Sequence, residues 1–507
     1  MKLFLLPLLW LCIGSALAAE EPTQPARLEL PLDAYNSEVS IQPLPADSSV
    51  VLLVEQLKPG AFTTTLSFQK YDYQLRPVWS SPLEVPKGFS FDRLTSDGMT
   101  VYALFRPDLL GKQLWIAELD AQTGVLYAHM FEAEDVRSIY DFRVLRGQAF
   151  LTVMVENHLT ALLLNLRRNR ISALPAIYEQ LPTNFTFAVD PLAQRVDFIS
   201  SQTNGYKTRL QVKELSAEGQ LLRSEFVQAE SDRNLLMAQL SPGLRDRLLL
   251  GTYSLRDTRY AQGLFVADLN EAPTLTGSRR SLRFYDFLNL KHFFDFVSPK
   301  RAVRLKVRGE QMRATNRNLR LHYRLLTHEL LPTSYGYVLV GEVYNQRFRN
   351  TVPYQPNSGV PLGAYGNNTE GYYTTHAIVC GFDHEGNLLW DNTFVLKDAR
   401  SYDLVEMVQL RPLPDGRRFV LAYLDEYRIR YKLIDGANAS SNDLMVPVQT
   451  TLSDNKEKAN NATQQGMLAW YGSRFLAFGY QHIRATNGTN RDVYFLNAVA
   501  FDKMTAK

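Results

Sequence analysis

The feature that most constrains the fold of this 507-residue chain is a recurring unit of strand, turn and strand. In its best copy, Cys380–Trp390, an apolar strand leads into a turn that contains Asp383 and Gly386, and a second strand follows. In such a turn the carboxylate accepts hydrogen bonds from nearby backbone N–H groups, and glycine takes the positive φ angle. Further copies lie at Tyr71–Trp79 and Glu118–Tyr127, and weaker ones centre on Asn165, Ser216, Asp268, Asp435 and Asp502. The pattern predicts a protein built from β-hairpins.

A second series of turns alternates with the first and precedes runs that are almost continuously apolar. Two of these runs are Phe150–Val155 and Phe419–Tyr423. Because a strand with one wet face would alternate apolar and polar residues, we expect these strands to be buried on both faces. The turns of the second series fall near Asp47, Asp97, Gly147, Pro191, Gly243, Gly336, Asp415 and Gly472.

The spacing of the first series predicts how the hairpins assemble. Its successive anchor residues are 48, 45, 51, 52, 115, 52 and 67 residues apart. Five of these seven steps match the length of a four-stranded propeller blade, which is roughly 40 to 50 residues. The sequence therefore predicts an all-β fold, a β-propeller of eight four-stranded blades, with seven blades as the alternative count. A single ring replaces the roughly three domains that chain length alone would suggest.

The two ends of the chain are predicted to meet in the last blade. The eighth repeat reaches its anchor, Asp502, close to the end of the sequence and lacks a fourth strand, whereas 27–32 precedes the first repeat without a partner. We expect 27–32 to complete the last blade and so to remove two exposed sheet edges. Within one domain, 19–507, the blades are predicted at about 36–85, 90–132, 137–176, 183–227, 234–280, 319–395, 403–450 and 464–507.

One repeat also carries a family resemblance. The segment Ala117–Tyr127, with Asp120 and a Thr-Gly turn, resembles the repeat of bacterial secreted or periplasmic quinoprotein-like β-propellers, whose blades carry a docking tryptophan. Trp79 and Trp390 keep this aromatic residue, and Tyr127 substitutes for it. The resemblance covers eight repeats loosely and two or three closely. It implies a secreted or periplasmic propeller rather than a dehydrogenase, and no cofactor is predicted.

The first residues have the pattern of a secretory signal peptide, 1–18. Lys2 supplies the positive charge, 3–13 is apolar, and Ala16 to Ala18 give a small-x-small site for cleavage near Ala18/Ala19. The apolar run is shorter than the ~20 residues of a membrane-spanning helix. We therefore expect a secreted or periplasmic protein without a transmembrane segment. Lipid attachment at Cys12 is disfavoured, and Cys380 is expected to be buried and inert.

Three expansions of the repeat are predicted to project from one face of the ring. The first, 283–318, is basic: thirteen Lys and Arg and three acids lie between Arg279 and Arg324, a local charge of +10 within a chain of net charge +3. Helical spacing predicts a helix over 287–297 and a second, basic helix over 300–312. The second expansion, 349–370, is rich in Tyr, Pro, Gly and Asn, a composition suited to binding loops. A loop of the same composition that only covers the blade is the alternative. The third, 453–463, is polar and is expected to be a flexible linker.

The leading functional hypothesis is an exported, non-enzymatic propeller that binds a protein, a glycan or an anionic surface through the face that carries the expansions. Nucleic acid is disfavoured by the near-neutral chain and by export. A solvated basic face that packs on the acidic remainder of the ring is the alternative reading of 283–318. The candidate binding residues are Arg301, Arg304, Lys306, Arg308, Arg313, Tyr354 and Tyr365.

A carbohydrate-active enzyme is the alternative function. The acids Asp92, Asp141 and Glu406 fall where innermost strands would enter the central channel, and two facing carboxylates can perform acid–base chemistry on a glycan. Carboxylates at such positions are also commonly solvated or paired with neighbouring arginines. The sequence contains no nucleotide-binding loop, no nucleophile elbow and no zinc-ligand spacing, so no metal site is predicted.

Overall fold

The prediction of an all-β, eight-bladed propeller is confirmed by the computed structural model, in which eight antiparallel sheets form a ring. In blades 1 to 7 the chain runs from the innermost strand, A, through B and C to the outermost strand, D. The predicted signal peptide and most of the tyrosine-rich loop lie outside the described residues. The structure describes residues 21–57, 64–107, 112–133, 136–182, 184–229, 231–270, 282–348, 369–397, 399–451, 457–485 and 490–502.

The first four blades follow one another without interruption after strand β1 (Thr23–Leu30). Blade 1 comprises β2 (Ser37–Leu44), β3 (Ser49–Leu57), β4 (Thr64–Tyr71) and β5 (Pro77–Leu83). Blade 2 comprises β6 (Phe89–Asp97), β7 (Thr100–Pro107), β8 (Gln113–Asp120) and β9 (Leu126–Glu132). Blade 3 comprises β10 (Val136–Leu145), β11 (Gln148–Val155), β12 (His158–Asn165) and β13 (Arg170–Gln180), and blade 4 comprises β14 (Phe185–Asp190), β15 (Arg195–Thr203), β16 (Thr208–Ser216) and β17 (Leu221–Val227).

The later blades are less regular and include helix α1 (Pro299–Ala314) between blades 5 and 6. Blade 5 comprises β18 (Asn234–Leu240), β19 (Leu248–Ser254), β20 (Gly263–Asp268) and β21 (Leu282–Asp286). Blade 6 comprises β22 (Arg324–Thr327), β23 (Leu331–Thr333), β24 (Gly336–Phe348), β25 (Thr369–Asp383), β26 (Leu388–Val395) and β27 (Arg400–Ser401). Blade 7 comprises β28 (Gln409–Pro412), β29 (Phe419–Asp425), β30 (Arg428–Asp435), β31 (Asn438–Ala439) and β32 (Met445–Pro447), and blade 8 comprises β33 (Glu457–Ala469), β34 (Arg474–Ala485) and β35 (Asn490–Ala500).

The predicted closure of the ring is confirmed, because β1 is the fourth strand of blade 8. It pairs antiparallel with β35, and Arg27 lies opposite Asn497. The Arg27 guanidinium donates to the Asn497 side chain at 2.7 Å and lies over the Phe495 ring at 5.0 Å. The pairing of β1 with β35, the hydrogen bond to Asn497 and the contact with the Phe495 ring thus join two segments that are far apart in the sequence.

Neighbouring blades dock through residues of the outer strands. Trp79 of blade 1 donates from its indole N–H to the Ala121 carbonyl of blade 2 at 3.3 Å. A Cβ atom at Gly124 would lie 3.2 Å from the same indole, so glycine makes this close contact possible. Leu174 occupies the equivalent place against Gly219, which explains how blades without tryptophan still pack.

The predicted helix over 287–297 is wrong, since this segment consists of turns. The N–H groups of Lys291 and His292 donate to the two carboxylate oxygens of Asp391, at 3.0 and 2.7 Å, and are therefore unavailable for helical hydrogen bonds. The apolar side chains at helical spacing, including Phe287 and Phe294, are instead buried in the core between blades 5 and 6. The second, basic helix is present as α1.

Two predicted expansion boundaries also differ from the structure. The first residues of 283–318 belong to β21, which is the outer strand of blade 5 rather than part of an insertion. The predicted linker 453–463 is a strand from Glu457 onward, where β33 pairs with β34 and the pairing is irregular at Asn460/Ala462 and Thr463/Gly466.

Antiparallel alternation gives the ring two distinct faces. The A–B and C–D turns lie on one face, which we call the turn face. The B–C connections and the D–A crossovers lie on the other, which we call the insertion face. The crossover 287–323, which includes α1, leaves the sheets on the insertion face, and β24 ends and β25 begins at the same face. No helix in the described part of the chain is long and apolar enough to cross a membrane.

Candidate functional site

A cavity of about 430 Å³ opens in the central channel between the inner strands of blades 8, 1, 2 and 3. Its charged groups are the carboxylates of Asp92 and Asp141 and the guanidinium groups of Arg93 and Arg143. We call this space the channel cavity. Its wall also contains half-buried apolar side chains, which are Val39, Ile41, Phe91, Leu94, Leu468 and Phe478.

A β-bulge places Asp92 at the channel. The pairing of β6 with β7 shifts between Phe91 and Arg93, so that Asp92 is the extra residue, and bulges of this kind redirect a side chain. The Asp92 carboxylate lies 3.2 Å from Arg93 Nε and 3.2 Å from Arg106 Nε. Arg93 in turn donates to the Ile139 carbonyl of blade 3 at 3.0 Å, which ties blades 2 and 3 together at the cavity.

An ion pair spans the channel beside this cavity. Arg143 of blade 3 lies 3.3 Å from Asp141 of its own strand and 3.4 Å from Glu329 of blade 6. Next to Glu329, His328 is hydrogen-bonded to Glu342 at 3.0 Å and lies 3.8 Å from Glu406. Blades 3, 6 and 7 therefore share one network of carboxylates, arginine and histidine.

Burial and charge shift the titration of this network. Burial raises the pKa of the Glu406 carboxyl; His328 opposes this shift and Glu342 reinforces it. Burial alone would lower the pKa of His328, but its hydrogen bond to Glu342 and the nearby Glu406 raise it. Although protein surrounds Glu406, 47 % of its side chain is exposed, as expected for a group that borders an open channel. A protonated carboxyl at this position would be reachable by a ligand.

The structure brings together the three acids of the predicted alternative function. Asp92 and Asp141 line one cavity, and Glu406 belongs to the network around Arg143. Their catalytic role stays a prediction. Sequence reasoning missed His328, Glu329 and Glu342, because nothing local in the sequence joins them to Arg143; only the long-range assembly of blades 3, 6 and 7 does. No cluster of three metal-ligating side chains occurs among the described residues.

Helix α1 is attached to the insertion face by part of its own charge. Lys306 donates to the carbonyl oxygens of Leu290 and Lys291 at 3.0 and 3.2 Å. Arg313 donates to Asn289 at 2.7 Å and lies 3.2 Å from Asp286. These two predicted binding residues thus hold the helix on the ring, and their side chains are engaged with the protein itself.

The other three predicted arginines of α1 remain exposed. Arg301, Arg304 and Arg308 form no ion pair within the described residues, and the exposed Val303 and Val307 lie beside them. The remaining two predicted binding residues, Tyr354 and Tyr365, lie outside the described residues. The exposed side of α1 therefore combines three cations with two apolar side chains.

The insertion face also exposes three tyrosines that sequence reasoning missed. Tyr35, Tyr206 and Tyr402 are 98 %, 96 % and 84 % exposed. They lie in the crossover to blade 1, in the B–C turn of blade 4 and in the crossover to blade 7. Their positions at loop tips follow from strand boundaries that the repeat spacing alone does not resolve.

No family model matches the sequence, and no curated protein is significantly similar to it. Distant solved structures include a quinohemoprotein alcohol dehydrogenase from Pseudomonas putida, with 10% identity and a TM-score of 0.42 over 96% of this chain and 77% of that one. Polysaccharide lyase Uly1 has 9% identity and a TM-score of 0.38 over 85% and 92%. A prolyl endopeptidase has 10% identity and a TM-score of 0.38 over 90% of this chain and 54% of its own, so the chain spans about half its length. These likenesses carry no argument about function.

Proposed function

We propose that the protein is an exported binding module that captures an acidic protein partner on its insertion face. The observation that carries this proposal is the division of charge on α1. Lys306 and Arg313 fix the helix to the ring, whereas Arg301, Arg304 and Arg308 have no ion pair in the described part of the chain. A basic face that served only to pack on the acidic remainder of the ring would direct these three arginines inward.

The direction of α1 supports an anionic partner. Its first turn contains no acidic residue, and Lys300 and Arg301 lie there instead, at the positive end of the helix dipole. Ser298 makes no side-chain capping hydrogen bond in the described structure. A carboxylate from a partner would offset the positive charge at this end of the helix. Each favourable charge at a helix end contributes about 0.3 to 1 kcal/mol of binding free energy.

The exposed aromatic residues favour a protein over a lipid headgroup or a small anion. Tyrosine and arginine are enriched at protein–protein interfaces and among their energetically dominant residues. Tyr35, Tyr206 and Tyr402 belong to different parts of the ring but to the same face as α1. A partner that contacts both α1 and these side chains must be large enough to extend across the insertion face.

The proposal is tested by binding to immobilised poly-L-glutamate, a defined acidic polypeptide, at increasing salt concentration. The variant R301E/R304E/R308E is expected to lose at least about tenfold in affinity at low salt, because exposed charges act over a Debye length of about 30 Å at an ionic strength of about 0.01 M. Its melting temperature is expected to equal that of the wild type.

The matched control reverses three exposed arginines of the turn face, Arg168, Arg245 and Arg417. This variant carries the same total charge as the α1 variant, so any difference between the two reports position rather than net charge. Equal losses in both variants, or full retention of binding by the α1 variant, would remove α1 from the proposed interface.

A further inference from the structure

We propose that the channel cavity binds a short neutral saccharide. This inference rests on the walls of the cavity and is independent of the proposed capture of an acidic protein by α1. The volume of about 430 Å³ lies within the roughly 300 to 1,000 Å³ typical of small-ligand pockets.

The cavity offers an apolar wall of the kind that a sugar ring requires. Phe91, Phe478 and Leu468 line it together with aliphatic residues of β2. The Phe478 ring lies over Gly466, where an added Cβ atom would approach it to 2.5 Å, so glycine makes this position of the ring possible. Ligand pockets commonly combine such apolar surface with a few polar groups that fix the orientation of the ligand.

The charges in the cavity argue against an ionic ligand. The lining contains two carboxylates and two guanidinium groups, and each already has an opposite charge nearby: Asp92 lies 3.2 Å from Arg93, and Asp141 lies 3.3 Å from Arg143. An anionic or cationic ligand would have to displace one member of a pair and leave the other uncompensated, which is costly away from water.

Hydroxyl groups fit this arrangement, because a hydroxyl donates one hydrogen bond and accepts others at the same time. Asp92 Oδ2 and Arg93 Nε are both buried and form no hydrogen bond within the described residues, although they lie only 3.2 Å apart. Buried polar atoms normally have a partner. The Arg93 side chain is 39 % exposed and donates to the Ile139 carbonyl through Nη2, so a hydroxyl that reaches this side chain can accept from its Nε and donate to Asp92.

The test is calorimetric titration with neutral disaccharides, such as maltose, cellobiose and lactose, beside glucuronate and glucosamine. At least one neutral sugar is expected to bind, and the two charged sugars are expected to bind at least about tenfold more weakly, the effect of a lost charge-assisted hydrogen bond. Binding of glucuronate or glucosamine as tight as that of the best neutral sugar would overturn the assignment, as would the absence of binding by every neutral sugar.

Matched variants locate the site. D141N and R93Q change groups that line the cavity and are expected to weaken binding about tenfold. R168Q is the control, because Arg168 is exposed on the turn face and does not line the cavity; its affinity is expected to stay within about twofold of wild type. D141N offers a nearly isosteric change should R93Q fail to fold. Equal affinities for D141N and R168Q would contradict the proposed site.

The two proposals fail separately. R301E/R304E/R308E is expected to bind the neutral sugar as the wild type does, whatever its affinity for poly-L-glutamate. Loss of sugar binding in this folded variant would overturn the placement of the saccharide in the channel cavity.

Discussion

Two acids differ in where their partners come from. On the turn face, Asp383 accepts hydrogen bonds from the N–H groups of Glu385 and Asn387 in its own turn, at 2.9 and 2.7 Å. Beside the channel, Glu406 faces His328 and Arg143, which belong to other blades. Burial opposes the shift at Asp383, but the hydrogen bonds from Asn387 and the backbone lower its pKa. At Glu406, burial prevails and the pKa is raised. The Asp383 carboxylate is used within its own turn, whereas the Glu406 carboxyl is open to the channel.

Two sets of cations show a similar contrast, although Arg168, Arg245 and Arg417 are also exposed on the turn face. Near the turn face, Arg195 is buried, bonds to Asp197 at 2.9 Å and donates to the Ser241 carbonyl of the next blade. On the insertion face, the arginines on the outer side of α1 point to solvent. The turn face also exposes Leu192 and Leu244, but isolated exposed leucines are ordinary in folded proteins. Near the turn face these charged groups join neighbouring blades, whereas the three outer arginines of α1 are open to solvent.

The largest expected effect is on the turn face, at Gly386. This residue has a φ of +81°, and an added Cβ atom would lie 2.4 Å from Val266. G386V is expected to lower the free energy of unfolding by about 3 to 5 kcal/mol, because it combines backbone strain with overpacking. The control is G98A, with a φ of +59° and no atom within 4 Å of the added Cβ, which is expected to cost only about 1 kcal/mol. Urea denaturation measures both; equal losses would show that the docking contact is dispensable.

The next effect concerns pH and Asp197. Burial raises the pKa of this carboxyl to about 7, against the opposing effect of Arg195. The folded protein therefore holds a proton that the unfolded chain releases near pH 4, so stability should fall as pH rises from about 4 to 7 and then level off.

The substitution D197N should flatten this decline, which amounts to a few kcal/mol in order of magnitude. Chemical denaturation of both proteins between pH 4 and 8 measures it. An unchanged slope in D197N would assign the pH dependence to other groups. It would also argue against a role for the Arg195–Asp197 contact in joining neighbouring blades near the turn face.

A smaller effect is expected from the ion pair that spans the channel. Glu329 is 59 % exposed and lies 3.4 Å from Arg143. A double-mutant cycle with R143Q and E329Q is expected to give a coupling energy below about 1 kcal/mol, since exposed pairs contribute little. A coupling energy of several kcal/mol would mean that the ion pair holds blades 3 and 6 together. The groups beside the channel would then join blades, as those near the turn face do.

The smallest effect is expected at Glu406. Because its pKa is raised, the charged form is disfavoured in the folded protein, and stability declines as pH rises above the ordinary value for glutamate. E406Q should remove this penalty and leave the protein equally stable or slightly more stable at pH 7, by less than about 1 kcal/mol after screening by solvent. A clear loss of stability would give Glu406 a structural role like that of Asp383.

The fold could be predicted where its causes are local. An acid such as Asp383 and a glycine such as Gly386 act within one turn, so their spacing reports the blades directly. The closing strand could be predicted because 27–32 had no partner and the eighth repeat lacked a fourth strand. The helix over 287–297 could not be rejected, since the carboxylate that occupies its N–H groups, Asp391, lies about one hundred residues away in sequence.

The candidate sites divide in the same way. The exposed arginines of α1 were predictable from a local excess of charge, but the sequence did not distinguish them from Lys306 and Arg313, whose partners lie on the preceding turns. Asp92 and Asp141 were predictable as channel residues from their places in inner strands. His328 and Glu329 were not, because their relation to Arg143 exists only after the ring has closed.

The most direct test of the distinction between the two faces is quantitative capture of proteins from the exported fraction of the source cells. Wild type, R301E/R304E/R308E and the turn-face variant R168E/R245E/R417E are compared at equal concentration, with melting temperatures measured in parallel. The account predicts a partner enriched by the wild type and the turn-face variant but lost by the α1 variant, with all three proteins folded. A partner lost by the turn-face variant and retained by the α1 variant would contradict it.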